Sequence, residues 1–406
     1  MIPIDPDTKQ NYLDHTIFRQ VIVEVYDEDP TGDQLPSLTI SDNQIVSESM
    51  EIERSILEND ELCFGGCHAS QFKIQVFNVS QDLAGKYIRV FLKITVSNIL
   101  FPADDLFPAD DLYPCGGADN YQYQLFTGKI DSAKRQKNRT IKEIIAFDKF
   151  YGNSEFYLGR MASIAEYAAN RPLKIIREYI ESFSVFDGSE WISEADLFND
   201  ETAMSLTVNL TREALDEKTD TVDILKAYCE LNASFGYIDT LGRLKYKQLL
   251  NPDIEIITAY SDLDFEEYQT APINMIRFYY NGSDPTACDW GHSQEQPSKY
   301  ISDNIITKCC TNIANLVHAF NDNNGHNYIF NNLYQYRPFK AVLFDYWWLE
   351  PGDKVKISTG SEAEGDVRIV ESYIFSMTIS GIQNLKTTIE AKGKQYLGKE
   401  DANAIQ

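Results

Sequence analysis

The side chains best able to do chemistry in this 406-residue chain are its cysteines, histidines and carboxylates, so their spacing comes first. Cys63-Phe-Gly-Gly-Cys67 followed by His68 has the outline of a metal knuckle. A zinc site needs four ligands, and no second pair sits nearby at ligand spacing. Small residues packing at a strand bend are the simpler account. Cys288 with His292, and Cys309-Cys310 ahead of His318, are no better as ligand sets, and buried thiols account for each. Asp104, Asp105, Asp110, Asp111 and Asp119 crowd one stretch and offer the oxygen ligands that Ca²⁺ takes. They lack the spacing and central glycine of an EF-hand loop, and read as a solvated acidic loop. Glycoside hydrolysis needs only two opposed carboxylates, but abundance in an acidic chain is no evidence for it. The rings of Tyr346-Trp347-Trp348 could serve as a sugar platform, although a Trp pair is more often core or interface. A Walker loop, a dinucleotide fingerprint, a His-Glu-x-x-His helix and a Gly-x-Ser-x-Gly elbow are all missing. No residue is assigned to catalysis, to a cofactor or to a metal.

Acidic residues outnumber basic ones by 62 to 36, for a net charge of −26. A duplex needs Lys and Arg to displace its counterions, so stable nucleic-acid binding is disfavoured, as is docking on anionic lipid. No signal peptide and no apolar run long enough to span a bilayer is evident. Seven cysteines, an odd number in a long chain, read as reduced thiols of a protein made in the cytosol. With 24 Tyr and 22 Phe, the composition suits strands and flat interfaces.

The elements that would position any site are mostly strands. Between Ser55 and Ile94 the chain reads as strand, Gly-containing turn, strand, polar turn, strand. Phe72, Ile74 and Val76 alternate with polar residues, and Ile88, Val90, Leu92 and Ile94 alternate with Tyr87, Arg89, Phe91 and Lys93. The second set is too bulky and mixed for a plain solvent face, so Tyr87, Arg89, Phe91 and Lys93 are candidate interface residues. Further strands are expected at Thr16–Val25, Ser37–Ser41, Ile45–Ile52, Tyr121–Ile130 and Thr140–Phe147, the spacing of a barrel or sandwich. The motif FPADDL at Phe101–Leu106 recurs at Phe107–Leu112, an acidic loop lengthened by tandem duplication, and Lys134–Arg139 is a basic turn. Helices are expected at Met161–Ala169, from Pro172 onward, and from an N-cap at Thr221, followed by a hairpin turning at Thr240-Leu241-Gly242. Strands resume at Ile273–Tyr280, with a loop over Cys288–Asp303 and helices over Asn312–Phe320 and Tyr328–Tyr336. A type II turn at Glu350-Pro351-Gly352-Asp353 then leads into Lys354–Ile357, Val367–Ile379 and Leu385–Ala391.

Several phrases carry a resemblance. LCFGGCHASQFKIQVFNVSQDLAGKYIRV and LFTGKIDSAKRQKNRTIKEIIAFDKFYG resemble the first barrel of the baseplate or tail-tip hub proteins of tailed phages and prophages. TVDILKAYCELNASFGYIDTLGRLKYK, NLYQYRPFKAV, LEPGDKVKI and NLKTTIEAKG look like the rest of that family, which also includes the hub half of VgrG proteins in type VI secretion. The resemblance implies a mainly β fold with α+β insertions, two similar β-barrel domains and a helical middle region. The barrels would occupy about 1–150, with the acidic loop 101–120, and 236–393, with a helical insertion about 305–337. The middle would span 151–235 and a C-terminal tail 394–406. It further implies a structural, non-enzymatic homotrimer forming a pseudo-sixfold ring in a virion tail assembled in the host cytoplasm. Its partners would be itself, tube or distal tail ring proteins, and a central spike or fibre, with DNA only in transit through the lumen. A tail-associated peptidoglycan or glycan hydrolase and a carbohydrate-binding tail-tip protein are the alternatives. The duplicated FPADDL loop is a departure from the family pattern.

Overall fold

The computed structural model describes residues 2, 4, 17–30, 34–57, 61–62, 65–96, 119–135, 140–151, 171–172, 207–210, 221–231, 234–249, 254–270, 275–278, 286–289, 298–301, 304–311, 336–359, 368–392 and 394–395. In its first part the strands are β1 (Ile17–Tyr26), β2 (Leu38–Ile40), β3 (Glu51–Ser55), β4 (Glu61–Leu62), β5 (Gln71–Phe77), β6 (Tyr87–Val96), β7 (Asp119–Arg135) and β8 (Ile141–Phe147). Alternation explains them. Val21, Val23 and Val25 of β1, Phe72, Ile74 and Val76 of β5, and Ile88, Val90, Leu92 and Ile94 of β6 are all fully buried, while their neighbours, buried Tyr26 apart, stay half-exposed.

The pairing of these strands returns on itself. β1 pairs with β6, β6 with β7, β7 with β8 and β8 with β5, all antiparallel. β2 lies on the free side of β1, and the chain after it reaches β5 through the bridge Ile45↔Val76. The 17-residue β7 makes the sharpest bend, serving β6 up to Lys129 and β8 from Lys129 onward. Its register shifts opposite Val90/Phe91 and again between Ile130 and Ser132, bulges that curve a sheet towards closure. Gly128 sits where the partners change, and a Cβ there would collide with Phe147 O and the Phe126 ring.

Next come β9 (Arg171–Pro172), β10 (Thr207–Val208), helix α1 (Thr221–Leu231), β11 (Ser234–Ile238) and β12 (Leu244–Gln248). Pro172 itself lies in a strand, since Arg171–Pro172 pairs antiparallel with Thr207–Val208, and the helix expected after it lies outside the described residues. The hairpin β11–β12 turns where the sequence expects, with Gly242 at φ +83°. Helix α1 packs on β11, and Ile224, Leu225, Tyr228 and Cys229 are buried. Gly65, at φ +89°, lets the 65–67 segment lie against this unit: its N–H donates to Ser234 O at 2.9 Å, and a Cβ would strike Lys226 O.

The remaining elements are β13 (Ile254–Ile257), β14 (Tyr260–Phe265), β15 (Met275–Phe278), β16 (Thr286–Asp289), β17 (Ser298–Ile301), α2 (Ile305–Cys309), β18 (Phe339–Phe344), β19 (Lys354–Thr359), β20 (Arg368–Tyr373), β21 (Ser376–Ser380), β22 (Lys386–Glu390) and β23 (Lys394–Gln395). The expected loop over Cys288–Asp303 therefore gives way at both ends to strands, β16 and β17, which flank β15. A second circuit of pairing runs β14–β18–β22–β21 and β20–β19–β13. One chain crosses between the two sheets at Ile374-Phe375, and again at Thr258-Ala259. What reads as one strand over Val367–Ile379 is thus two. The corner is pinned by Ile374 N–H donating to Asp353 O at 2.9 Å and Phe375 N–H to Glu390 O at 2.9 Å. The turn before β19 is the expected one, with Gly352 at φ +85° and Asp353 N–H donating to Glu350 O at 3.1 Å.

The two circuits share a strand. β3 pairs with β5 on one edge and β21 on the other, so eleven strands form one sheet in the order β14-β18-β22-β21-β3-β5-β8-β7-β6-β1-β2. The expected strand Ile45–Ile52 is interrupted to allow this. Residues 47–48 form a turn, with Glu48 at φ +56°, and β3 starts at Glu51. Glu48 uses the detour, since its carboxylate accepts N–H groups of Ile382 at 2.9 Å and Gln383 at 3.2 Å in the β21–β22 turn. Arg19 of β1 reaches the same corner, pairing with Asp345 at 2.7 Å and donating to Gln383 O at 3.2 Å. The expected helices Met161–Ala169, Asn312–Phe320 and Tyr328–Tyr336 lie outside the described residues, apart from Tyr336 itself.

Both partners of the Arg19–Asp345 pair are nearly dry, with side chains 11% and 12% exposed. Arg19→Ala strands a buried carboxylate and is expected to cost about 3–5 kcal/mol. Denaturant midpoints of the two proteins measure it, and a difference below about 1 kcal/mol would make the pair a surface-type bridge.

Candidate assembly interface

The outward row of β6 consists of Tyr87, Arg89, Phe91 and Lys93, all half-buried. Their cross-strand neighbours are Tyr26, Glu24, Ile22 and Gln20 on β1, and Lys129, Thr127, Gln124 and Gln122 on β7. The chain itself occupies part of this face. Arg89 donates to Pro30 O at 2.8 Å and lies over the Tyr26 ring, 5.4 Å from its centroid. Lys129 lies 5.5 Å from the Tyr87 ring centroid, and burial raises the Tyr87 hydroxyl above its ordinary range. The Tyr26 hydroxyl, pushed up to about 12 by burial and then by its bond to Glu24, stays protonated and donates to that carboxylate. The tip of the β11–β12 hairpin docks alongside, where Gln124 Nε2 and Thr127 Oγ1 each donate to Thr240 O at 2.8 Å. Arg89 and Tyr87 are therefore held by their own chain, whereas Phe91 and Lys93 form the part of the row beside β1 residues Gln20 and Ile22.

Asp104, Asp105, Asp110 and Asp111, with the FPADDL repeat, lie outside the described residues, as does Cys63. Cys67 carries a buried free thiol, and its backbone forms an isolated parallel bridge with Gly236, so the second half of the knuckle packs on the hairpin. Cys309 and Cys310 close helix α2 as free thiols, and burial raises that of Cys309. Among the described residues no three His, Cys, Asp or Glu side chains come together as a metal site, and no helix is long and apolar enough to cross a membrane. Tyr346, Trp347 and Trp348 are buried, with Trp347 4.9 Å from the Tyr123 ring and Trp348 donating to Glu255 at 3.4 Å. They have no face to offer a sugar.

A cleft of about 420 Å³ follows the β3–β21 seam, lined by Glu53, Arg54, His68, Gln71, Ser376 and Thr378 among others. Among the described residues Glu53 is the one carboxylate lining it, while glycoside hydrolysis uses two. Burial, then the neighbouring Glu51, raises the Glu53 carboxyl.

Behind this seam lies a set of buried charges that alternation alone could have flagged. Arg54 occupies an inward position of β3 and Lys142 an inward position of β8. Arg54 donates to Leu125 O, the residue displaced by the first β7 bulge. Burial lowers its pKa, against the pull of Glu350, Tyr237, Asp148 and Asp239. Asp148 accepts N–H groups of Ser70 at 2.7 Å and Phe150 at 2.9 Å. Burial nevertheless pushes its carboxyl up to about 6. Burial also acts upward on Asp353, but the surrounding positive charge, Lys247 Nζ at 2.6 Å first, brings the net shift down. Asp239 pairs with Arg243 and Lys245 within the hairpin, and Lys247 ties the hairpin to Asp353 beside β19.

No family model and no curated protein sequence matches the chain. Among solved structures it is similar to the tail protein from Neisseria meningitidis MC58, at 10% identity and TM-score 0.47, over 92% of this chain and 96% of that one. It is similar to the 43 kDa tail protein of prophage MuSo2 from Shewanella oneidensis, at 9% identity and TM-score 0.44, over 91% and 97% of the two chains. A chain of the Francisella PdpA–VgrG complex aligns at 9% identity and TM-score 0.44, over 94% of this chain and 54% of that one.

The raised Asp148 carboxyl has a signed consequence for stability. The native state holds this proton more tightly than the unfolded chain, whose value is near 3.8. The associated stability is complete below about pH 3.8 and is lost as pH rises through about 6. Asp148→Asn should remove up to about 3 kcal/mol of that dependence, seen as a flatter denaturant midpoint between about pH 4 and 7. An unchanged slope would mean that Asp148 is not the titrating group.

Proposed function

We propose that this chain is a structural hub at the end of a phage or phage-derived tail. Three copies would form a pseudo-sixfold ring that adapts a hexameric tube to a central spike or fibre. The observation that carries this reading is strand β3, which joins two successive runs of paired strands within one subunit. Three such subunits would present six ring-forming units, and the phrases resembling hub proteins occur in order along the chain. In this reading about 1–150 and 236–393 are the two barrels, 151–235 the helical middle and 394–406 a tail. No catalytic step is proposed. The buried Trp pair disfavours a sugar platform at that site.

Net charge fits the same role. At −26 per chain, an acidic inner wall would keep passing DNA from adhering. The wall of the assembled ring is therefore expected to be acidic, and an electron-microscopy map showing it neutral or basic would overturn this part.

Sedimentation equilibrium of the full chain at micromolar concentration is expected to give a stable trimer. A monomer across the accessible range would sink the hub reading itself.

A further inference from the structure

Two exposed charged features are far apart on the sheet and of opposite sign. The first lies at the end of the β7–β8 hairpin, where Lys134 and Arg135 are exposed. Arg135 is paired across the ladder with Lys142, a like-charge pair that costs stability. Lys142 turns away to donate to Gln81 O, leaving Arg135 without an anionic partner among the described residues. Such a cluster is anomalous in a chain of −26. The second is β14, the terminal strand of the eleven-stranded sheet, whose one neighbour among the described residues is β18. Asp262 and Asp264 are exposed at alternate positions along it, and Glu266 follows just beyond its end. Asp264 has a long, exposed pairing with Lys392 at 3.7 Å, and no ion pair engages Asp262 or Glu266 among the described residues.

Two copies at −26 each repel unless they meet where the local signs are opposed. We propose that the acidic β14 edge of one copy seats on the Lys134–Arg135 end of the hairpin in the next copy. The two patches lie on β14 and β7, with six strands between them in one sheet, so the contact is head-to-tail. Contacts of that kind generate rings when the rotation closes. The contact would also cover the side of β14 that no described strand pairs, and give Arg135 a carboxylate it lacks among the described residues. This inference rests on the oligomeric reading above and adds which surfaces make it.

The test is charge reversal with rescue, using the full chain and analytical ultracentrifugation. Asp262→Lys with Asp264→Lys in one protein, and Lys134→Glu with Arg135→Glu in another, should each raise the dissociation constant at least about tenfold. Combining all four substitutions should restore assembly to near the wild-type level. All positions are exposed, and circular dichroism checks that the variants fold. If the wild type assembles and neither reversal weakens it, or the combination fails to restore it, this contact is overturned while the hub reading stands. If the wild type never assembles, the hub reading falls first.

Discussion

The structure depends on β3 having both edges occupied. Five residues, Glu51–Ser55, accept β5 on one side and β21 on the other. An edge strand left open is a template for unwanted pairing, and here β3 covers an edge of β5 and an edge of β21 at once. The strand can do this only because the chain before it is diverted into a turn at Glu48, which would otherwise continue along β5. The detour then contributes its carboxylate to the backbone N–H groups of the β21–β22 turn. Gly381, at φ +87°, opens that turn where a Cβ would meet Asn384 O at 2.6 Å.

Charge reinforces the junction from within. Arg19 and Asp345 face each other across it, and Asp345 and Tyr346 both hold positive φ, at +64° and +50°. Consecutive non-glycine residues in that region carry strain, which persists because the surroundings over-determine it. Thr387 Oγ1 donates to Asp345 O, Asp345 N–H donates to Leu385 O at 3.1 Å, and Trp347 and Trp348 fill the core just beyond. The Arg54 and Asp148 groups do for the hairpin what Arg19 does for the corner. Buried charges of this kind specify one arrangement more than they stabilise it, since unpairing either partner leaves a dry charge.

A face that looks unaccountably bulky in the sequence proves to be partly self-covered. Arg89 and Tyr87 find partners in Pro30, Tyr26 and Lys129, and the hairpin tip settles on Gln124 and Thr127. A half-dry strand row can therefore mean a neighbour from the same chain as readily as another subunit. What distinguishes the two is charge. Groups satisfied internally lie around β6, while among the described residues Arg135, Asp262 and Glu266 have no ion-pair partner.

The sequence by itself determined the strands with clean period-two alternation, the hairpin at Thr240-Leu241-Gly242, the helix from Thr221 and the turn at Pro351-Gly352. Each depends on local steric or solvation preferences that neighbours within about ten residues already encode. Tertiary structure decided the rest. Apolar content does not show where a strand must break, so Val367–Ile379 read as one strand until the corner at Ile374-Phe375 required two sheets. Pro172 suits a helix start locally, yet it pairs with Thr207, a contact 35 positions away that no window contains. The burial of Arg54 and Asp148 had the same origin. A charge at an inward position is legible as an anomaly, but its tolerance depends on carbonyls and N–H groups brought from distant strands.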